Sequence, residues 1–94
     1  MAIRSFANRN TRAVFEGESP NTIPRNVLKR ATVKLLMLHA ANDLKDLISP
    51  PANRLEKLHG TRAGQHSIRI NDQYRVCFRW QDGDAYDVEI VDYH

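Results

Sequence analysis

The stretch from Gln65 to Tyr93 constrains this chain most. It holds three runs of alternating apolar and polar residues, separated by the turn-forming clusters Asn71-Asp72-Gln73 and Asp82-Gly83-Asp84. A period of two marks a strand with one buried face. Gln65 to Ile70 places Ile68 and Ile70 on one side, with Ser67 and Arg69 on the other. Tyr74 to Trp80 turns Tyr74, Val76, Phe78 and Trp80 inward, and Arg75, Cys77 and Arg79 outward. Tyr86 to Tyr93 turns Tyr86, Val88 and Ile90 inward, and Asp87, Glu89, Val91 and Tyr93 outward. Connections this short join antiparallel neighbours. A three-stranded meander follows, with an apolar side to be covered and a polar side open to a ligand.

The cover is found upstream. From Pro24 to Ala41, Val27, Leu28, Ala31, Leu35, Leu38 and Ala41 recur at helical spacing. Thr22 is the expected N-cap, and Pro24 suits a first turn whose amides lack helical partners. Arg25, Lys29, Arg30 and Lys34 share the other side with no carboxylate. That basic face is either solvated or in contact with phosphate. Before it, Ile3 to Phe6 reads as a short strand. Thr11 to Glu16 reads as a short helix capped by Asn8 or Asn10 and stopped by Gly17. Asn42-Asp43 caps a helical turn from Leu44 to Leu47, and Ile48 to Ala52 is an extended link. The expected class is α+β, one domain over residues 1–94, with helices on one face of a twisted antiparallel sheet.

If directly paired residues point to one face, three-residue connections set the register. Arg69 then lies opposite Arg75, Arg75 opposite Val91, Cys77 opposite Glu89, and Arg79 opposite Asp87. The last is an ordinary cross-strand ion pair. The first is a like-charge pair, which destabilises a sheet; either an anion sits between the guanidiniums or two solvated arginines splay apart. Tyr93 lies diagonally near Arg75 on the same face.

Net charge is +3 and the pI about 9.4, which suits a limited phosphate-binding patch or an acidic partner. No apolar run approaches the roughly 18 residues of a membrane span, and Met1 to Ser5 lacks a signal-peptide core. One cysteine, Cys77, excludes an internal disulfide, so a reducing cytoplasm is the expected compartment. There is no HxH, HExxH, CxxC, Gly-rich phosphate loop or GxSxG elbow, so neither metal nor cofactor is expected. His39 falls inside the long helix and reads as structural. What remains is Arg, His, Tyr and Asp at strand ends beside a basic surface. These match the needs of RNA cleavage by internal attack: a histidine to move protons, an arginine to hold the crowded phosphate, and a tyrosine to stack on a base.

The segment SPPANRLEKLHGTRAGQHSIRINDQYRVCFRW, the ending VEIVDYH and the opening IRSFANRNTRAVFEGE together resemble the HigB-type toxins. These form the plasmid maintenance killer branch of the RelE/ParE superfamily. The resemblance covers essentially the whole chain. It implies a RelE-like fold, with an N-terminal strand and two main helices against the sheet. It implies a ribosome-dependent mRNA endonuclease acting in the A site of the 70S ribosome without metal. It also implies a HigA-like helix-turn-helix antitoxin, through which the toxin would reach operator DNA as a co-repressor. By position, Arg75 matches the arginine serving the scissile phosphate, and His59 the active-site histidine. Asp92, Tyr93 and His94 match the C-terminal trio. Arg62 stands in a loop where well-known members carry a lysine, a departure that implies weaker catalysis. Lys57, Arg62, Arg69 and the helix cations Arg25, Lys29, Arg30 and Lys34 are the expected contacts to RNA and ribosome. The superfamily also implies an alternative, a ParE-like toxin that binds DNA gyrase and cuts no RNA. A third is a module that only binds the antitoxin.

Overall fold

The structure, a computed structural model, describes residues 2–93. Its frame is the meander: β2 (Gln65–Arg69), β3 (Tyr74–Gln81) and β4 (Asp84–Asp92). A two-residue strand, β1 (Glu56–Lys57), adds to the outer edge, giving the antiparallel order β1-β2-β3-β4. The N-terminal segment lies parallel along β4 through bridges at Ile3–Ala85 and Phe6–Val88. The short strand expected there is reduced to these two isolated bridges, which still set the segment against the sheet.

The register agrees with expectation near the first turn. Arg69 pairs with Arg75, Arg75 with Val91, and Cys77 with Glu89. Asn71 makes that three-residue turn, its side-chain oxygen accepting from the amides of Gln73 and Tyr74, both at 2.8 Å. At the second turn the register differs. Gln81 pairs with Asp84, so the connection is Asp82-Gly83 alone. Both residues have positive φ, +52° and +83°, as a tight hairpin turn requires. Arg79 consequently sits opposite Tyr86, not Asp87, and Ala85 opposite Trp80 takes the core place expected of Tyr86. A bulge on β4 then restores the alternation. Asp87, with φ +53°, is the residue at that bulge, and Val88 and Ile90 still reach the core. Asp87 keeps its ion pair with Arg79, at 3.4 Å, as a neighbour rather than a partner.

Helix α1 spans Arg9–Phe15 and α2 spans Arg25–Ala40. Asn8 caps α1, accepting from the Thr11 amide at 2.8 Å, so the helix begins two residues earlier than expected. Thr11 lies inside it, where its buried hydroxyl accepts from the Ile90 amide at 3.0 Å and ties α1 to β4. Helix α2 has Pro24, not Thr22, at its N-cap, and no side chain caps it. Its Val27, Ala31, Leu35 and Leu38 are buried against Ile68, Val76, Phe78 and Val88. Each large apolar side chain so buried contributes about 1.5–3 kcal/mol, which offsets the weak start of the helix. His39 near its end is structural: Nδ1 accepts from the Ile3 amide at 3.4 Å, and the ring meets Phe15 edge-on.

The link after α2 is more ordered than expected. Leu44–Leu47 and Pro51–Asn53 form single tight helical turns, the first closed by a reciprocal Asp43–Asp46 cap. Asn53 is wholly buried. Its amide donates to the carbonyls of Leu47 and Ser49, and its oxygen accepts from Lys34 at 2.6 Å. This side chain pins the link to α2 and fixes where β1 begins.

Candidate functional site

Alternation assigns Ser67, Arg75, Cys77, Glu89 and Val91 to the sheet face away from the helices. Among the described residues no α-helix covers that face, yet Ser67 and Cys77 have no exposed surface and Arg75 is only 8% exposed. The polar side is thus not the open surface expected. Its own long side chains and the β1 segment close over it.

Arg75 is the centre of this arrangement. Nε donates to the Ser67 hydroxyl at 2.7 Å, and Nη2 to the Arg54 carbonyl at 2.6 Å. The Glu56 carboxylate stands 3.7 Å away, and the Tyr93 ring lies over the guanidinium with 5.8 Å to its centroid. The carbonyl is presented by Arg54 itself, held in the left-handed region at φ +43° just after the buried Asn53. A guanidinium fixed this way costs little further ordering when an anion arrives. Among the described residues, Nη1 has no hydrogen-bond partner.

Around it lies a second layer. Arg62 pairs with Glu89 at 3.2 Å and donates to the Gln65 side chain at 3.0 Å. It is therefore committed within the site and not extended towards solvent. Burial pushes the Cys77 thiol above its ordinary pKa, against the pull of Arg62, Arg75 and a hydrogen bond with Tyr93. The thiol stays protonated and unreactive. Burial likewise raises the Tyr93 phenol, with Cys77 adding to the rise and Arg75 opposing it, so Tyr93 remains a neutral donor.

The other expected residues are distributed more widely. His59 is exposed and precedes the Gly60–Arg62 turn, beyond the end of β1 furthest from Arg75. Lys57 pairs with His66, so it belongs to the opposite face from Glu56. Asp92 pairs with Tyr74 and its carboxylate accepts from the Gln73 side-chain Nε2 at 3.0 Å, again on the side away from Arg75. His94 lies outside the described residues. Arg69 is drawn to Asp72, and the two arginines expected to share an anion each have their own partners. Arg69 reaches round the sheet edge towards Lys29, Arg30 and Lys34 on α2, while Arg25 is exposed at the first position of that helix. These cations are gathered away from Arg75. Among the described residues, no three His, Cys, Asp or Glu side chains come together to hold a metal ion.

Sequence reasoning missed Glu56, Ser67 and Arg54, the immediate partners of Arg75. Ser67 was legible in principle, since the register places it two residues from the Arg69–Arg75 pair. The carbonyl of Arg54 and a two-residue strand leave no pattern in a sequence.

Comparison with known proteins agrees with this architecture. A family described as "RelE-like toxin of type II toxin-antitoxin system HigB" matches residues 4–94. Toxin HigB-1 of Vibrio cholerae is 46% identical over 63 residues, covering 67% of this chain and 66% of that toxin. Endoribonuclease HigB of Proteus vulgaris is 28% identical over 92 residues, covering 98% and 99% of the two chains. A chain of a YoeB-YefM complex from Staphylococcus aureus superimposes with a TM-score of 0.61 at 15% identity, over 100% of this chain and 99% of that one. With the family match running almost end to end and the helix-backed meander it requires in place, the chain belongs to the HigB-like toxins, RelE-like members of type II toxin–antitoxin systems.

Proposed function

We propose that this toxin is an endoribonuclease that cuts mRNA in the ribosomal A site, in the cytoplasm. The observation that carries the reading is Arg75: a pre-fixed guanidinium on the helix-free face, roofed by an aromatic ring. In the reaction, the ribose 2′-oxygen loses its proton and bonds to the adjacent phosphorus. The bond from phosphorus to the 5′-oxygen breaks, and that oxygen takes up a proton. The products are a 2′,3′-cyclic phosphate and a 5′-hydroxyl. Arg75 holds the charge of the crowded phosphorus, and Tyr93 stacks on or orients the nucleotide. Proton transfer falls to His59 or His94, with Glu56 a third acceptor beside the guanidinium. Asp92 acts indirectly, holding the Gln73 amide at the base of the last strand. The substrate supplies the nucleophile and Arg75 the positive charge, so no metal is required. A helix-turn-helix antitoxin neutralises the protein and carries it to operator DNA. The endoribonuclease named among the relatives supports this chemistry.

The test is primer extension on mRNA bound to purified ribosomes. Wild type cuts at a codon-linked position, insensitive to chelator, and a 2′-deoxy substitution there abolishes the cut. Arg75→Ala lowers the rate about 100-fold or more, as loss of a transition-state charge partner does. Full activity in Arg75→Ala, or equal cutting of free mRNA, overturns the reading. Stalled gyrase without RNA cuts replaces it with the gyrase alternative.

A further inference from the structure

A second feature lies on the other side of the molecule. Helix α2 and the end of β2 enclose a cleft of about 430 Å³. Its rim carries Lys29, Arg30, Lys34 and Arg69, and its apolar lining comes from Val33, Ala52 and Ile70. No lining residue is acidic. Arg69 has Asp72 as partner, an almost fully exposed side chain, and among the described residues Lys34 has only the neutral Asn53 oxygen. Burial, then Arg30 and Arg69, hold the Lys34 ammonium below its ordinary pKa. Val33 is 43% exposed, and Leu36, one turn further along α2, is 52% exposed.

We propose that this cleft docks an acidic, amphipathic peptide segment of a partner protein. Cations around an apolar lining complement carboxylates around apolar anchors. A nucleic-acid backbone would answer the cations but leave Val33 and Leu36 exposed, so the apolar component decides between the two. Helix α2 packs on the sheet face opposite Arg75, so the occupied cleft leaves Arg75 uncovered. The inference rests on the toxin–antitoxin reading only for its source, an acidic segment of the antitoxin. The recognition chemistry stands without it.

The probe is a fluorescent synthetic helical peptide with leucines at three- and four-residue spacing flanked by glutamates. A peptide with serine for leucine and a uridine oligonucleotide of equal charge are titrated beside it. The double variant Lys29→Glu/Arg30→Glu reverses two exposed cations, and Val33→Ser removes apolar lining. Both sites are exposed, and unchanged melting curves confirm folding. The peptide is expected to lose about tenfold or more in affinity for the double variant and about threefold for Val33→Ser. The serine peptide is expected to bind weakly to wild type, and ribosomal cleavage by Val33→Ser to match wild type. The proposal is overturned if wild type does not bind the leucine peptide, if both peptides bind equally, or if the variants bind as wild type does. It is also overturned if the double variant loses the oligonucleotide as steeply as the leucine peptide. Peptide binding by a wild type that cuts no RNA would overturn the nuclease reading alone.

Discussion

The two faces of the β2–β3–β4 sheet are alternate residues of the same strands, and they are closed by different physics. On one face Ile68, Val76, Phe78 and Ile90 meet α2, and the fit is apolar and shape-driven. On the other, Ser67, Arg75 and Cys77 are just as buried, but among the described residues no α-helix lies over them. There, burial is achieved with a carbonyl, a hydroxyl, a tyrosine ring and the Arg62–Glu89 pair. A hydrophobic face tolerates exchange of one apolar group for another of similar volume. A polar one tolerates little, because each donor must keep its acceptor. The difference places stability mainly on the helix side and chemistry on the other.

Phe78→Ala tests the helix side with the largest expected effect. It should cost about 3–5 kcal/mol in urea unfolding, since the ring is fully buried at the centre of the core. Arg75→Ala should cost about 1–3 kcal/mol by the same measurement, while abolishing far more activity. If Arg75→Ala destabilises as much as Phe78→Ala, the division of labour between the faces fails.

Asn53→Ala probes the joint between them. It strips the Leu47 and Ser49 carbonyls of their donor, costing about 1–3 kcal/mol. It also loosens the backbone that holds the Arg54 carbonyl against Arg75. Cleavage by the folded variant should therefore fall about two- to tenfold. Unchanged cleavage would show that Arg75 is held by Ser67 and Glu56 alone.

The smallest effect concerns His66, on the core side of β2. Its ring stacks near Phe78, and its buried Nδ1 lacks a hydrogen-bond partner among the described residues. Burial, then Lys57, lowers its pKa from the ordinary 6.5. The folded protein keeps this ring neutral, and the unfolded chain protonates it first. Its contribution to stability is therefore full above pH 6.5 and lost as pH falls from there through the folded pKa. Between about pH 7.5 and about pH 5.5 the melting temperature of wild type should drop more than that of His66→Phe. Parallel curves would show that the ring is protonated in the folded state as readily as in the unfolded.

The sequence by itself determined the meander, the helix that covers it and the Arg69–Arg75 register. Alternation and helical spacing are local signals, and a three-residue turn transmits them from one strand to the next. It also marked Arg75 and Tyr93 for the same face, because parity alone decides that. Tertiary structure decided the rest. The second turn lost a residue and β4 gained a bulge, two changes that cancel in the hydrophobic pattern and so leave no trace there. Arg69 and Arg75 face the same way at the backbone, but their long side chains diverge to separate partners, one round the sheet edge and one beneath Tyr93. The setting of Arg75 depends on the Arg54 carbonyl, the Ser67 hydroxyl and the Glu56 carboxylate. Those groups meet only when the Asn53 turn brings β1 alongside β2, a contact that no periodicity encodes.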